Sequence, residues 1–414
     1  MAIDKLQTDA LSNTVTATVA SFAIGANVSI NSSAVFFGNS TINTVMTASS
    51  LTIANVSLNS STIVIGSGKI AAGGVTLPSN FGVSSNTTNL LENRGGQLFF
   101  NGRRVDLVSE YRTSPAVYGY VMGGNSGAAA VTADRTTFST GGTAASTVSN
   151  LSTARAYLPG VSDTSIYGYA LGGWTGASVT TSDRITFSTS VTAASSVSNI
   201  STARNQMSAI SDGSIYGYVG GGVLSPAGTP SYATTDRLTF STSITAAFTA
   251  ANLSVARYGN AGVSDGTIYG YFLGGGGAYV ATTDRITFST STTAAYTAAN
   301  LSLARYEIAG VSDGSIYGYA MGGDSGANLA TTDRITFSTS VTAASTISNL
   351  SLARLRATGF SDGVVYGYVL GGTSAANVVT ADRLTFSTSG TAAYTTANIS
   401  QARQAPAGLS DGAV

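Results

Sequence analysis

Any acid–base chemistry in this chain would rest chiefly on Asp. Its 414 residues include no His and no Cys, and Glu occurs only at 92, 110 and 307. Without His there is no imidazole base near neutral pH, no Ser-His-Asp relay and no imidazole metal ligand. Without Cys there is no thiolate nucleophile, no disulfide framework and no zinc–thiolate site. The acids and cations that remain are periodic. Asp-Arg begins at 134, 183, 236, 284, 333 and 382, Ala-Arg at 154, 203, 256, 304, 353 and 402, and Ser-Asp at 162, 211, 264, 312, 361 and 410. These three motifs hold 12 of the 16 Asp and 12 of the 17 Arg. A catalytic site on a repetitive scaffold breaks the repeat, whereas these residues recur in every copy. They are therefore expected to pair with one another or with backbone groups, and the sequence leaves open whether those pairs are buried. No unrepeated acidic pair of the kind a glycosidase needs is present, nor an Asp-x-Asp-x-Asp calcium loop. The Gly-Gly pairs lack the Lys-Ser/Thr of a phosphate loop. The expectation is a protein that is not an enzyme and carries no cofactor and no metal.

The elements that position these residues follow from the repeat, which is the first feature to look for in such a chain. Tyr-Gly-Tyr begins at Tyr118, Tyr167, Tyr216, Tyr269, Tyr317 and Tyr366, at spacings of 49, 49, 53, 48 and 49 residues. Gly-Gly follows each triplet, then Asp-Arg leading into Thr-Phe-Ser-Thr. Alternation within each copy reads as short strands, with both Tyr on one face, and Asp-Gly marks tight turns between strands. Each copy is expected to supply four strands: Tyr-Gly-Tyr, Asp-Arg, Thr-Ala-Ala and a fourth such as Ala209-Ile210. One small sheet cannot bury both of its faces, but six arranged around an axis can. The fold class is accordingly all-β, with a six-bladed β-propeller over 117–414. Residues 404–414 have no Tyr-Gly-Tyr after them and are predicted to close the ring beside 117–122, removing an open sheet edge.

Composition agrees. Charged residues are 9% of the chain and the formal net charge is zero, which speaks against a phosphate-contacting nucleic-acid binder. No window of 18 apolar residues suggests a membrane span, and no secretory leader is evident at the start.

The copies resemble kelch repeats, on the pattern Leu171-Gly172-Gly173, Phe187 in the following strand, and Arg204. The late Trp of kelch units is replaced by Ser146, Ser195, Phe248, Tyr296, Ser345 and Tyr394. The resemblance spans about 300 residues and implies the propeller rather than an activity.

Comparison of the six copies isolates two variable connections. One follows Gly-Gly and includes Trp174, Val223 to Tyr232, Tyr279 and Asp324. The other follows Ala-Arg and includes Tyr157, Asn205-Gln206-Met207, Tyr258, Tyr306-Glu307-Ile308, Arg356 and Gln404. Turns alternate between the two ends of an antiparallel sheet, so both connections are expected on one rim and the uniform Ser-Asp-Gly turns on the other. Diversified loops on a rigid scaffold are where binding usually resides. The candidate ligand residues are Tyr157, Trp174, Tyr232, Tyr258, Tyr279, Tyr306, Asp324 and Arg356, a set of flat aromatics with a few polar groups that suits sugar rings.

Residues 1–92 are Asn/Ser/Thr-rich, with a weak internal repeat (Ala26 to Ser33 returning as Ala54 to Ser61). They read as a β-rich anchor or shaft that gains its core by winding beside other copies. Residues 93–116, with Gln97-Leu98-Phe99-Phe100-Asn101-Gly102, read as a hairpin-like connector. This arrangement resembles bacteriophage tail fibres and appendages. The resemblance implies a virion protein, a homotrimer through its N-terminal region, attached there to another virion protein. The propeller would face a host surface glycan or protein, with no nucleic acid bound and no membrane insertion. A capsid decoration or vertex protein that uses the propeller for assembly, and a bacterial surface adhesin or lectin, are the alternatives. A propeller lyase or hydrolase is a further class.

Overall fold

The computed structural model describes residues 116–224 and 229–412, together with five short strands of the N-terminal region. Within residues 1–78, Val28–Ile30 pairs antiparallel with Val35–Phe37. Within 79–414, Leu91–Arg94, Gln97–Phe100 and Arg103–Arg104 form a three-stranded antiparallel sheet. The oligomeric winding expected of residues 1–92 falls outside the described residues.

The rest is a six-bladed β-propeller of four-stranded antiparallel sheets. The third blade is representative: inner strand Ser208–Ser211, second Tyr216–Gly220, third Thr235–Thr239 and outer Ile244–Ala247. Here the strand assignment differs from the sequence reading. The Ala209-Ile210 segment, expected to be the fourth strand of the copy that begins at Tyr167, is the inner strand of the next blade. The outer strand of the second blade ends at Ala194, a 3-10 turn spans Ser196–Ser198, and the chain then crosses back to the axis. There the backbone of 208–211 pairs with Gly217–Gly220. The same step leaves the first blade without an inner strand of its own. Ala407–Ser410 supplies it, with Ala407 opposite Met122 and Ser410 opposite Gly119.

Neighbouring wedges lock through one aromatic contact repeated at all six junctions. The second Tyr of each triplet is fully buried and stacks on the Phe that follows the third strand of the adjoining blade. Tyr120–Phe187, Tyr169–Phe240, Tyr218–Phe288, Tyr271–Phe337, Tyr319–Phe386 and Tyr368–Phe138 have centroids 5.8–6.2 Å apart. The first Tyr lies half-buried beneath the Arg of Asp-Arg, as in Arg184 over Tyr167 at 4.2 Å, a cation–π contact. At the axis the inner strands approach closely, and glycine makes this possible. A Cβ on Gly310 would collide with the carbonyl oxygen of Gly262 in the preceding blade.

Five of the six buried Tyr hydroxyls bond a Ser Oγ on the adjoining blade, at Ser190, Ser243, Ser291, Ser340 and Ser389, over 2.7–2.9 Å. The hydroxyl of Tyr368 has no Ser partner, because Gly141 stands where the other blades have Ser. All these positions have positive φ, 68° at Gly141 and 53–57° at the serines, so Ser is tolerated there. Gly141→Ser would supply that partner, worth about 0.5–1.5 kcal/mol, but its Cβ costs about 1 kcal/mol at this φ and meets the Tyr394 ring at 2.7–3.1 Å, so no net gain in stability is expected. Urea unfolding of the full chain checks this, and a clearly raised midpoint would count against it.

The repeated charges are buried ion pairs. Each Ala-Arg guanidinium reaches the Asp of Asp-Arg in the next blade: Arg155–Asp183, Arg204–Asp236, Arg257–Asp284, Arg305–Asp333, Arg354–Asp382 and Arg403–Asp134, at 2.5–2.7 Å. Burial pushes the guanidinium pKa of Arg155 down, and the carboxylate of Asp183 opposes that shift. Other guanidinium donors reach backbone carbonyls, as Arg204 does at Val219, while Nε of Arg155, Arg257, Arg354 and Arg403 and Nη1 of Arg403 have no partner. The Asp of Ser-Asp instead ties its own turn: Asp163 Oδ1 accepts from the N–H of Ser165, Ile166 and Tyr167.

Candidate functional site

The two variable connections meet on one rim. Short antiparallel bridges join Ala156 to Trp174, Asn205 to Val223, Tyr258 to Gly276, Tyr306 to Asp324 and Leu355 to Thr373. The Ser-Asp-Gly turns and the turns leading into the outer strands lie at the opposite ends of the same strands.

On the variable rim the second residue after each Ala-Arg forms a circle around the axis: Tyr157, Gln206, Gly259, Glu307, Arg356 and Ala405. All six have left-handed backbone, with φ between 50° and 62°, a conformation that costs about 1 kcal/mol or more for a residue with a Cβ. A chain of inter-blade hydrogen bonds holds it. Gln206 N–H donates to the carbonyl of Tyr157, Gly259 to Gln206, Arg356 to Glu307, Ala405 to Arg356 and Tyr157 to Ala405, over 2.7–3.0 Å. Between Gly259 and Glu307 the donor shifts one residue, to Ile308 N–H at 3.3 Å.

This circle is the mouth of a cavity of about 130 Å³ that continues along the backbone of the inner strands. Polar side chains cross it from four blades. Gln206 Nε2 donates to Glu307 Oε1 at 2.6 Å, and Arg356 Nε lies 3.2 Å from the same oxygen. Arg356 Nη1 donates to Gln404 Oε1 at 3.0 Å, and its guanidinium sits 5.3 Å from the centroid of Tyr157. Gly259 makes the crossing possible, since a Cβ there would meet the backbone nitrogen of Glu307 at 2.8 Å. Burial pushes the Glu307 carboxyl above its usual range, with Arg356 opposing.

No protein-family model matches the chain, and no curated protein matches it. Geometry alone therefore defines the site.

The structure divides the eight residues singled out by sequence into two clusters and one outlier. Tyr157, Trp174 and Arg356 lie on one side of the mouth, with the Trp174 ring edge-on to Tyr157 at 6.4 Å. Tyr258, Tyr279, Tyr306 and Asp324 form a rim platform. Its ring centroids are 5.9 Å apart for Tyr258–Tyr306 and 5.3 Å for Tyr279–Tyr306, and the Tyr279 hydroxyl donates to Asp324 Oδ1 at 3.2 Å. Tyr279 is exposed. Tyr232 joins neither cluster; its backbone pins the third variable loop to Gly222 and Arg257. Sequence reasoning set Gln206, Gly259, Glu307 and Gln404 among the variable loops but not in the site. The available signal was register, because Gln206 and Glu307 occupy the same offset from Ala-Arg as Tyr157 and Arg356. Among the described residues no group of three or more acidic side chains is placed to hold a metal ion.

Proposed function

We propose that the propeller is the receptor-binding head of a virion fibre or appendage, kelch-like in its repeat, with its variable rim contacting a glycan on the host surface. The observation that carries this reading is the segregation of irregular residues. Five aromatic rings, a buried Glu paired with a partly exposed Arg, and a partly exposed Asp gather on one end of a scaffold whose other end repeats almost unchanged. Aromatic faces stack on the apolar faces of pyranose rings, and the neighbouring polar groups bond the hydroxyls. The Asn/Ser/Thr-rich N-terminal region supports a fibre placement through its resemblance to phage shafts. On this reading the protein is a non-enzymatic virion component and its copies join through residues 1–92.

The test is binding of the full chain to immobilised bacterial surface polysaccharides. Trp174→Ala is expected to weaken binding about tenfold, the equivalent of about 1.4 kcal/mol. Periodate treatment of the polysaccharide should abolish binding, whereas loss after protease treatment of whole cells would point to a protein receptor instead.

A second reading, an assembly module on a capsid, is favoured by one observation on the uniform face. Val117, Ile166, Ile215, Ile268, Ile316 and Val365 occupy the same place in each blade and are 39–56% exposed. A ring of apolar side chains left in water marks an interaction surface. Gold label on the shell of particles, with no binding to polysaccharide or cells, would favour that reading.

A further inference from the structure

Resting on the glycan reading above, we propose that the axial mouth seats the terminal, uncharged residue of an oligosaccharide, whose next residues run outward over Tyr306 and Tyr258. Three observations converge on this. The mouth presents both donors and acceptors within one small space: the Gln206 amide, the Glu307 carboxylate and the Arg356 guanidinium. Glu307 Oε1 takes contacts from both Gln206 and Arg356. A ligand hydroxyl, which both donates and accepts, suits such a mixed set of donors and acceptors.

The charge balance selects the class of sugar. Glu307 is 7% exposed and Arg356 neutralises it, so the mouth carries no net charge. A uronic or sialic carboxylate would be placed against Glu307, and an amino sugar cation against Arg356. Uncharged hexoses meet neither penalty.

The third observation is continuity. Tyr306 and Tyr258 directly precede Glu307 and Gly259 in the chain, so the rim platform begins one residue outside the mouth. The cavity is small, about 130 Å³, whereas on the platform Tyr279 is exposed and Tyr258 and Tyr306 are half-buried. A chain end can therefore enter the mouth while the following residue stacks on the tyrosines, and an internal segment of a polymer cannot.

The experiment uses the full chain on an array of neutral and acidic oligosaccharides of defined sequence. The variants are Glu307→Gln and Ala405→Tyr, with Tyr232→Ala as a control away from both clusters. Ala405→Tyr places bulk at the mouth, and Tyr157 shows that this backbone conformation accepts Tyr. Wild type is expected to select neutral glycans with free chain ends, and each mouth variant to lose about tenfold or more in affinity. The melting temperature of Ala405→Tyr should be unchanged, and Tyr232→Ala should bind as wild type. If Glu307→Gln fails to fold, Ala405→Tyr alone decides. Full binding by Ala405→Tyr, together with loss on Tyr279→Ala, would overturn the axial seat while leaving the glycan reading intact. Selection of acidic glycans would overturn the proposed ligand class. No glycan bound by wild type would overturn both this proposal and the reading it rests on.

Discussion

Deletion of residues 404–414 should leave the propeller unable to close. Those residues contain the inner strand of the first blade, paired along Tyr118–Met122. They also contain Asp411, whose Oδ1 accepts from the N–H of Val117 and Tyr118 at 2.8 and 3.0 Å, and Leu409, which is buried in the core between the first and second blades. Without them the second strand of the first blade would expose a row of unpaired N–H and C=O groups, an invitation to edge-to-edge aggregation. Size exclusion and thermal melting of the truncated chain should show aggregates or the loss of a cooperative transition. A monodisperse product with the melting curve of the full chain would refute closure by this strand.

The second large effect is expected at the pair that joins the last connection to the first blade. Arg403 and Asp134 are both fully buried, 2.6 Å apart. Asp134 also accepts from Ser400 N–H, and Arg403 donates to the Val121 carbonyl. Arg403→Met leaves a carboxylate in the core with a single backbone donor, and should cost about 3–5 kcal/mol. The double variant Arg403→Met with Asp134→Leu should recover much of that loss. Arg403 Nε and Nη1 already lack partners, so the native pair itself bears a desolvation cost that an apolar pair avoids. Urea denaturation of wild type, both single variants and the double variant measures the coupling. A loss below about 1 kcal/mol for the single variant would mean that water reaches the pair, as at an exposed salt bridge.

The two faces of the disc differ in kind because the repeat constrains them differently. On the uniform face five of the six Asp carboxylates satisfy three N–H groups of their own turn, as Asp212 does, so the turn is specified locally and can be copied unchanged; Asp411 instead bonds Val117 and Tyr118 across the closure. On the variable rim the left-handed residues are held by bonds from blade to blade, which need only backbone groups. Side chains there are free to diverge, and Tyr, Gln, Glu, Arg and Ala all occupy equivalent positions.

Much of the fold was legible in the chain. Tyr-Gly-Tyr at spacings near 49 residues, alternating apolar residues and Asp-Gly turns led to six sheets around an axis, because period two and turn chemistry are local properties. The absence of a successor to residues 404–414 pointed to their pairing with the first copy. Assigning Ala209-Ile210 to its own copy failed for a physical reason: hydrogen-bond partners in a sheet are not local, and nothing in the segment states whether it pairs backward or forward. The repeated Asp and Arg were read as partners, but their burial, and the linking of each blade to the next, depends on where the chain crosses back to the axis.

The candidate site divides in the same way. Variation among copies exposed Tyr157, Trp174, Arg356 and the Tyr258–Tyr306 group as irregular residues on one rim, since aligned repeats reveal departures without coordinates. The union of Gln206 with Glu307, 101 positions apart in the chain, came only from the tertiary structure. Rotation about the propeller axis carries the same offset of every blade onto one small circle, and a missing side chain at Gly259 lets two residues from non-adjacent blades touch. Sequence determines which residues differ; closure of the ring determines which of them meet.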